Sequence, residues 1–233
     1  MSYQCFCLNY KNEERRQSMI KRFETAQLPY KLFEGVSIED IQQKYPETGD
    51  HPSRAWSTMA GHLQMIHDFY YNTDMEYGIF CEDDIVFHKD LNTILPTIIN
   101  DITHLKLDIL LLGYLLNLKL EEEIPGLHIK YINNNYKYYT VHQCLWGAQM
   151  YIMTRTYSKF ILNNYNMDYA IKSITNPNLT PFSSDYIITK HGNNAILYPM
   201  VCCEQGNQYY DNSDQHIFHH ICHIVNYDKD NFI

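Results

Sequence analysis

No stretch of this chain stays apolar for the roughly 18 residues a membrane-spanning helix needs, and its opening, MSYQCFCLNYKNEERR, has no charged segment followed by a long apolar core. Neither a membrane span nor export by an N-terminal signal is therefore expected. Positive charge is also short, with 18 Lys and Arg against 27 Asp and Glu, a formal charge of −9. That balance argues against nucleic acid or an anionic membrane surface as partner, while leaving room for a local basic site. Zinc-type cysteine pairs are missing, since Cys5/Cys7 and Cys202/Cys203 stand too close together, and there is no helical HExxH pattern. The seven cysteines are an odd number and are expected as reduced, mostly buried thiols. Internal repeats and a clear linker are lacking too, so 233 residues and 27.7 kDa read as one domain around a single core.

What is present is the composition of a soluble globular protein, 45% hydrophobic and 19% charged, with 21 tyrosines. YQCFCL reads as a short buried strand, and Met19, Ile20 and Phe23 then fall at helical spacing. A second strand is predicted over Tyr30–Phe33, followed by an irregular connection marked by Pro46, Gly49 and Pro52. Trp56, Met59, Ala60, Leu63, Ile66, His67 and Tyr70 keep a 3.6-residue period and predict a helix over Trp56–Tyr71. A helix near Leu91–Leu105 precedes DILLLGYLL, an apolar run suited to a strand covered on both faces. Turn-like IPGL, strands at Lys137–Val141 and Gly147–Met153, a helix from Thr156, a last strand and a polar, His-rich tail complete the chain. Alternating helix and strand point to an α/β fold with parallel members in its sheet.

Within that frame one segment is anomalous. Ile79–Phe87, IFCEDDIVF, sets Glu82, Asp83 and Asp84 inside an apolar run. Desolvating an ionised carboxylate costs several kcal/mol unless a cation or hydrogen-bond donors meet it. Acids arriving as a strand of an α/β sheet ends are placed where ligands bind. In an extended segment Glu82 and Asp84 share one face and Asp83 turns to the other, a pattern suited to Mg²⁺ or Mn²⁺ completed by substrate phosphates. The plain alternative is an acidic turn capping the next helix.

The same segment resembles the Glu-Asp-Asp motif of glycosyltransferase family 25, which contains bacterial lipooligosaccharide transferases and procollagen galactosyltransferases. CLNYKNEERRQSM, KLFEGVS, WSTMAGHLQMIHDF, DILLLGY, GAQMYIMTRTYSKFIL, SSDYIIT and LYPMVCCEQGNQYYDNSDQH are similar to that family's segments in the same order. Two positions depart from it: Gly61 stands where the family usually has the Ser of a Ser-His pair, and Ser57-Thr58 where a Gly-Cys pair is expected. The resemblance implies a single GT-A-like domain with a mixed, mainly parallel central sheet flanked by helices. The donor would bind the half before about residue 115 and the acceptor the half after it. It also implies a metal-dependent, inverting transfer of a hexose, galactose or glucose, from a UDP-sugar to a hydroxyl of a glycan or protein acceptor.

Such a transfer needs a clamp on the leaving diphosphate and a base for the acceptor hydroxyl. For the clamp the expectation is Asp84 as direct metal ligand with Glu82 beside it, Asp83 on the ribose or a metal-bound water, and Asp214 or His216 as a further ligand by resemblance. Arg15 and Arg16 stand at a helix start, where they can reach phosphate or base or simply alternate with Glu13 and Glu14. His62 can face the donor pocket or be a hydrogen-bonded core histidine. Asp185 is the expected general base, its alternative being an acid at a helix N-terminus. His219, His220 and His223 read as a packed or solvated cluster, and Trp146 with Tyr138 and Tyr139 as a sugar platform or as core.

Two other functions remain open on the residues alone. Clustered carboxylates also serve metal-dependent phosphoesterases, and a non-catalytic carbohydrate-binding module could keep the fold. The lack of an export signal and the odd cysteine lead to an expected cytoplasmic location, in a bacterium or a virus-infected cell.

Overall fold

The computed structural model describes residues 2–120, 126–142, 145–206 and 213–233, with helix and strand alternating in the first part of the chain and runs of strands and then helices after Leu115. The turn-like Ile124-Pro125, Cys144 and the 207–212 part of the closing stretch lie outside the described residues. In chain order the elements are β1 (Cys5–Leu8), α1 (Glu13–Thr25), β2 (Tyr30–Phe33), α2 (Ile38–Lys44), α3 (Arg54–Asn72), β3 (Tyr77–Glu82), β4 (Ile85–Phe87), α4 (Leu91–Leu105) and β5 (Ile109–Leu115). There follow β6 (Ile129–Ile132), β7 (Lys137–Tyr139), β8 (Trp146–Thr154), α5 (Arg155–Asn164), α6 (Met167–Thr175), α7 (Ser184–Ile187), β9 (Asn194–Tyr198), β10 (Cys202–Glu204) and α8 (Asp214–Asn226).

Eight strands form one mixed sheet in the order β2-β1-β3-β8-β5-β9-β7-β6, and β10 and β4 pair separately. β1 runs parallel to both β2 and β3, and β5 parallel to β9. The long β8 is antiparallel to β3 and β5 on either side, and β7 is antiparallel to β9 and β6. Side-chain alternation along each strand divides the core into two layers. Phe6, Leu8, Phe80, Leu111 and Tyr151 face α3, α5 and α7. Cys5, Cys7, Ile79, Cys81 and Leu110 face α1 and α4. The thiols of Cys5, Cys7, Cys81 and Cys202 are free, buried and part of this second layer, as expected of structural cysteines.

Helix α4 shows how pattern becomes packing. Leu91, Leu95, Ile98, Ile99 and Ile102 recur at helical spacing and are all buried, each worth about 1.5–3 kcal/mol relative to exposure. Pro96 within it has no N–H to offer the Asn92 carbonyl, and the Tyr3 hydroxyl donates to that carbonyl instead, at 3.2 Å. The DILLLGYLL run becomes β5, buried over its first six residues as a strand covered on both faces must be.

Several elements differ from expectation: the connection read as irregular after β2 carries α2, capped by Ser37 and Asp40, and the Ile79–Phe87 run breaks into β3 and β4. The strand placed at Lys137–Val141 ends at Tyr139. The His-rich tail forms α8, because Phe218 and Cys222 supply an inward stripe at a spacing of four that the intervening histidines obscure. Among the described residues no helix is long and apolar enough to cross a membrane.

Candidate functional site

The acids gather because of strand pairing. β1 and β3 are parallel with Leu8 opposite Glu82, so the residues just past these strand ends, Asn9 and Asp83, meet: Asn9 Nδ2 donates to Asp83 Oδ2 at 2.5 Å. Beyond Glu82 the chain bends, and alternation along an extended strand no longer applies. Asp83 and Asp84 both turn to Arg15, whose Nη1 lies 3.2 Å from a carboxylate oxygen of each. Arg15 is held in the first turn of α1, where Asn12 caps the helix by accepting from the Arg15 amide at 3.0 Å. β10 pairs antiparallel with β4, placing Glu204 opposite Ile85 and its buried carboxylate near Asp84.

Two clefts meet at this bend. The first, about 510 Å³, is lined by Leu8, Tyr10, Arg15, Val36, Arg54, Ser57, Thr58 and all three acids. The second, about 350 Å³, shares Arg54, Thr58, Glu82 and Asp84 with it and continues over Gly147, Gln149, Asp185, Glu204, His216 and His219. Glu82 and Asp84 therefore belong to both, and Asp83 to the first only.

Charge is poorly balanced here. Burial, and then the neighbouring Glu82 and Glu204, push the Asp84 carboxyl up to about 7 against the pull of Arg15. Asp83 is also raised by burial, opposed by the Asn9 and Arg15 hydrogen bonds. Gln149 donates to Glu204 at 3.3 Å, yet its own buried Oε1 has no hydrogen-bond partner.

Hard oxygen donors and excess negative charge at Glu82, Asp83 and Asp84 are a chemical fit for a divalent cation. Among the described residues no three His, Cys, Asp or Glu side chains converge into a ready cage. The fit is thus to an ion taking one or two carboxylates and completing its shell with phosphate and water, as Mg²⁺ commonly does.

His62 is fully buried on α3, its Nδ1 2.9 Å from the Tyr151 hydroxyl and its Nε2 3.4 Å from Glu82 Oε1. It is a hydrogen-bonded core histidine whose contact with the site runs through Glu82. Its neighbour Gly61 packs on β1 so closely that a Cβ would stand 2.6 Å from Leu8 Cδ1, so a serine at this position would require the Leu8 side chain to turn aside.

Asp185 lies in the first turn of α7 and on the second cleft, and its Oδ1 accepts from the Gly147 and Ala148 amides at 2.8 and 3.1 Å. Burial and then Glu82 raise its carboxyl, while those amides and His62 oppose the shift. His216 lines the same cleft; Asp214, exposed at the start of α8, lines neither, nor does the half-buried Arg16. Tyr138 and Tyr139 fill the core, and Trp146 is exposed.

The contributors missed by sequence reasoning are Asn9, Arg54, Gln149, Glu204 and, as a site residue, His219. Asn9 was within reach, since two parallel neighbouring strands bring together whatever follows their ends. Glu204 carried no comparable signal, because its place depends on a pairing between segments more than a hundred residues apart.

The model described as glycosyltransferase family 25 (LPS biosynthesis protein) matches residues 3–175. The chain belongs to glycosyltransferase family 25. The matched span holds Arg15, His62 and the three acids, and stops short of Asp185, Glu204 and α8. No curated protein sequence matches the chain.

Two solved structures are similar to this family member at low identity. A197 from STIV is 12% identical, with a TM-score of 0.43, covering 84% of this chain and 81% of that one. A protein described as mannose-1-phosphate geranyltransferase from Thermus thermophilus is 10% identical, with a TM-score of 0.47, covering 84% and 74%. Likenesses this distant say nothing about the site of the family 25 protein.

Proposed function

We propose that this glycosyltransferase uses a UDP-sugar and a divalent cation, Mn²⁺ or Mg²⁺, and passes a hexose, galactose or glucose, to a hydroxyl of a glycan or protein acceptor with inversion. The observation that carries this reading is the meeting of two clefts at Glu82 and Asp84. A transferase needs a nucleotide on one side and an acceptor on the other of a single reacting carbon, and the shared acids mark the boundary between them.

In this reading the nucleoside lies in the first cleft against Tyr10 and Val36, with Asp83 reaching its ribose. Arg15 and Arg54, each in the first turn of a helix, face the diphosphate, where guanidinium groups suit its oxygens. Asp84, with Glu82 beside it, would hold the cation, and His216 is the candidate further ligand on α8. When bound, the cation would neutralise charge developing on the leaving diphosphate. His62 keeps Glu82 in place from behind. The acceptor occupies the second cleft, where Asp185 and His219 are the candidates to receive its proton.

Calorimetric titration of UDP-glucose, UDP-galactose and other UDP-sugars tests this, run with Mn²⁺, with EDTA, and with Asp84→Ala. Binding of one donor that requires metal and is lost in the variant is expected. Binding of no donor, or binding indifferent to both metal and mutation, would sink the reading and leave the fold without this chemistry.

A further inference from the structure

We propose that His219, held by Glu204, is the catalytic base that takes the proton from the acceptor hydroxyl; the assignment rests on reading the site as a sugar-nucleotide transferase. The geometry is that of an oriented imidazole. Glu204 comes from β10 with only 7% of its surface exposed, and its Oε2 lies 2.7 Å from His219 Nδ1. A carboxylate accepting from Nδ1–H fixes the tautomer and leaves the lone pair on Nε2. The ring lines the second cleft in company with Glu82 and Asp84.

A second observation points to a ligand in the same place. Gln149 donates to the same Glu204 oxygen and leaves its own Oε1 buried and unpartnered. That acceptor suits a further hydroxyl of a polyol such as a sugar, since an unmet buried acceptor costs about 1–3 kcal/mol until a donor arrives. Asp185 is differently employed: two backbone amides of β8 converge on its Oδ1, tying α7 to the sheet, and its other oxygen is left to orient the incoming hydroxyl.

In the step itself the acceptor O–H proton passes to His219 Nε2 while the acceptor oxygen forms its bond to the anomeric carbon. The bond from that carbon to the donor's phosphate oxygen breaks, and its electron pair leaves with UDP. Glu204 then faces an imidazolium it is placed to stabilise. His219 is catalytic in this assignment and Glu204 a positioning residue.

The surroundings set the pH range. Glu204 on β10 raises the His219 pKa from 6.5 chiefly through its hydrogen bond, burial opposes this, and Asp84 of the β3–β4 bend and Asp185 of α7 add to the rise. Among the described residues, Glu82 and Arg54 from across the cleft and His216 on the same helix are the other ionisable groups of the lining. The ring is a base only when neutral, so turnover must fall on the acid side with a midpoint above 6.5.

The test has a spectroscopic arm and a kinetic arm. Histidine ring signals of the metal-free protein are titrated by NMR, with that of His219 identified by its loss in His219→Asn. It should titrate above 6.5 in the wild type and move back toward that value in Glu204→Gln. UDP release from UDP-glucose and UDP-galactose is then followed against pH, at Mn²⁺ raised until further metal no longer moves the profile, so that protonation of Asp84 does not contribute to the acid limb. His219→Asn should lower kcat by about 100-fold or more, leave donor affinity intact and abolish the acid limb. Glu204→Gln should lower kcat less and shift that limb to lower pH.

An acid limb that survives in His219→Asn but disappears in Asp185→Asn would overturn the assignment in favour of Asp185. A His219 titration unchanged by Glu204→Gln would overturn it as well. Absence of donor binding in the wild type is the separate result that overturns the transferase reading, and this assignment with it.

Discussion

Asp84→Asn should make the metal-free protein more stable at alkaline pH, although it removes the charge that faces Arg15. The Asp84 carboxyl is raised from 3.8 to about 7 by burial and by Glu82 and Glu204. It therefore binds its proton more readily folded than unfolded. The stabilisation that proton brings is complete below 3.8 and is lost as pH climbs through about 7. At about 1.36 kcal/mol per tenfold change, the full displacement corresponds to about 4 kcal/mol, of which well over half is lost between pH 5 and pH 8.

Two effects reduce what a single substitution recovers. Glu82 and Glu204 remain and share the burden, and the charge 3.2 Å from Arg15 is given up, a term of up to about 1 kcal/mol at a partly solvated position. The stability of Asp84→Asn relative to wild type should thus be roughly 1–2 kcal/mol more favourable at pH 8 than at pH 5. Urea unfolding followed by circular dichroism, in EDTA at both pH values, measures this difference directly. Mn²⁺ added at pH 8 should then raise the midpoint of the wild type and leave that of the variant in place. A variant equally destabilised at both pH values would refute the reasoning, because the three carboxylates would then not be straining one another.

Two further substitutions test the packing around the site. Gly61→Ser puts in the residue that the family resemblance leads one to expect here, and its Cβ would meet Leu8 Cδ1 at 2.6 Å; because the leucine side chain can turn aside, it should cost about 1 kcal/mol in chemical denaturation, and an accompanying Leu8→Ala should remove the clash but leave a cavity that costs more than the clash did. Arg155→Ala removes the guanidinium that donates to the Tyr70 carbonyl at 2.5 Å and to those of Phe69 and Met75 at 3.4 Å each. At about 1.5–3 kcal/mol for a hydrogen bond to a charged group, it should lower stability by about 2 kcal/mol in the same assay while sparing donor binding, since the end of α3 it secures is the one away from the clefts.

What was legible in the chain divides along a physical line. Periodicity shows which face of an element is buried, so α3, α4 and β5 could be read from their own residues. Register is different, for it depends on partners elsewhere. The acidic triplet announced itself because its charge conflicts with its own apolar flanks; Arg15 was legible only as a helix-start cation, and the pairing of β1 with β3 is what sets it against the acids. Glu204 conflicts with nothing local: a lone acid after Cys202-Cys203 looks like the end of a strand. Only the pairing of β10 with β4 turns it into the fourth member of the cluster.

The same distinction separates His62 from His219. His62 drew attention through the Ser-His pair that the family resemblance leads one to expect in this helix, but its ring lies behind Glu82, bonded to Tyr151. His219 lay in a tail whose histidines blurred the helical stripe of Phe218 and Cys222. Once that stripe is packed, α8 can present His219 to the cleft only on its polar side, against the one buried carboxylate that β10 supplies. An amphipathic helix closing over a strand end thus sorts an ambiguous cluster of histidines, fixing His223 on the Glu204 carbonyl and His219 on the Glu204 carboxylate. The side chain best placed for chemistry is therefore one whose role could be seen only after the core had decided which way its helix faces.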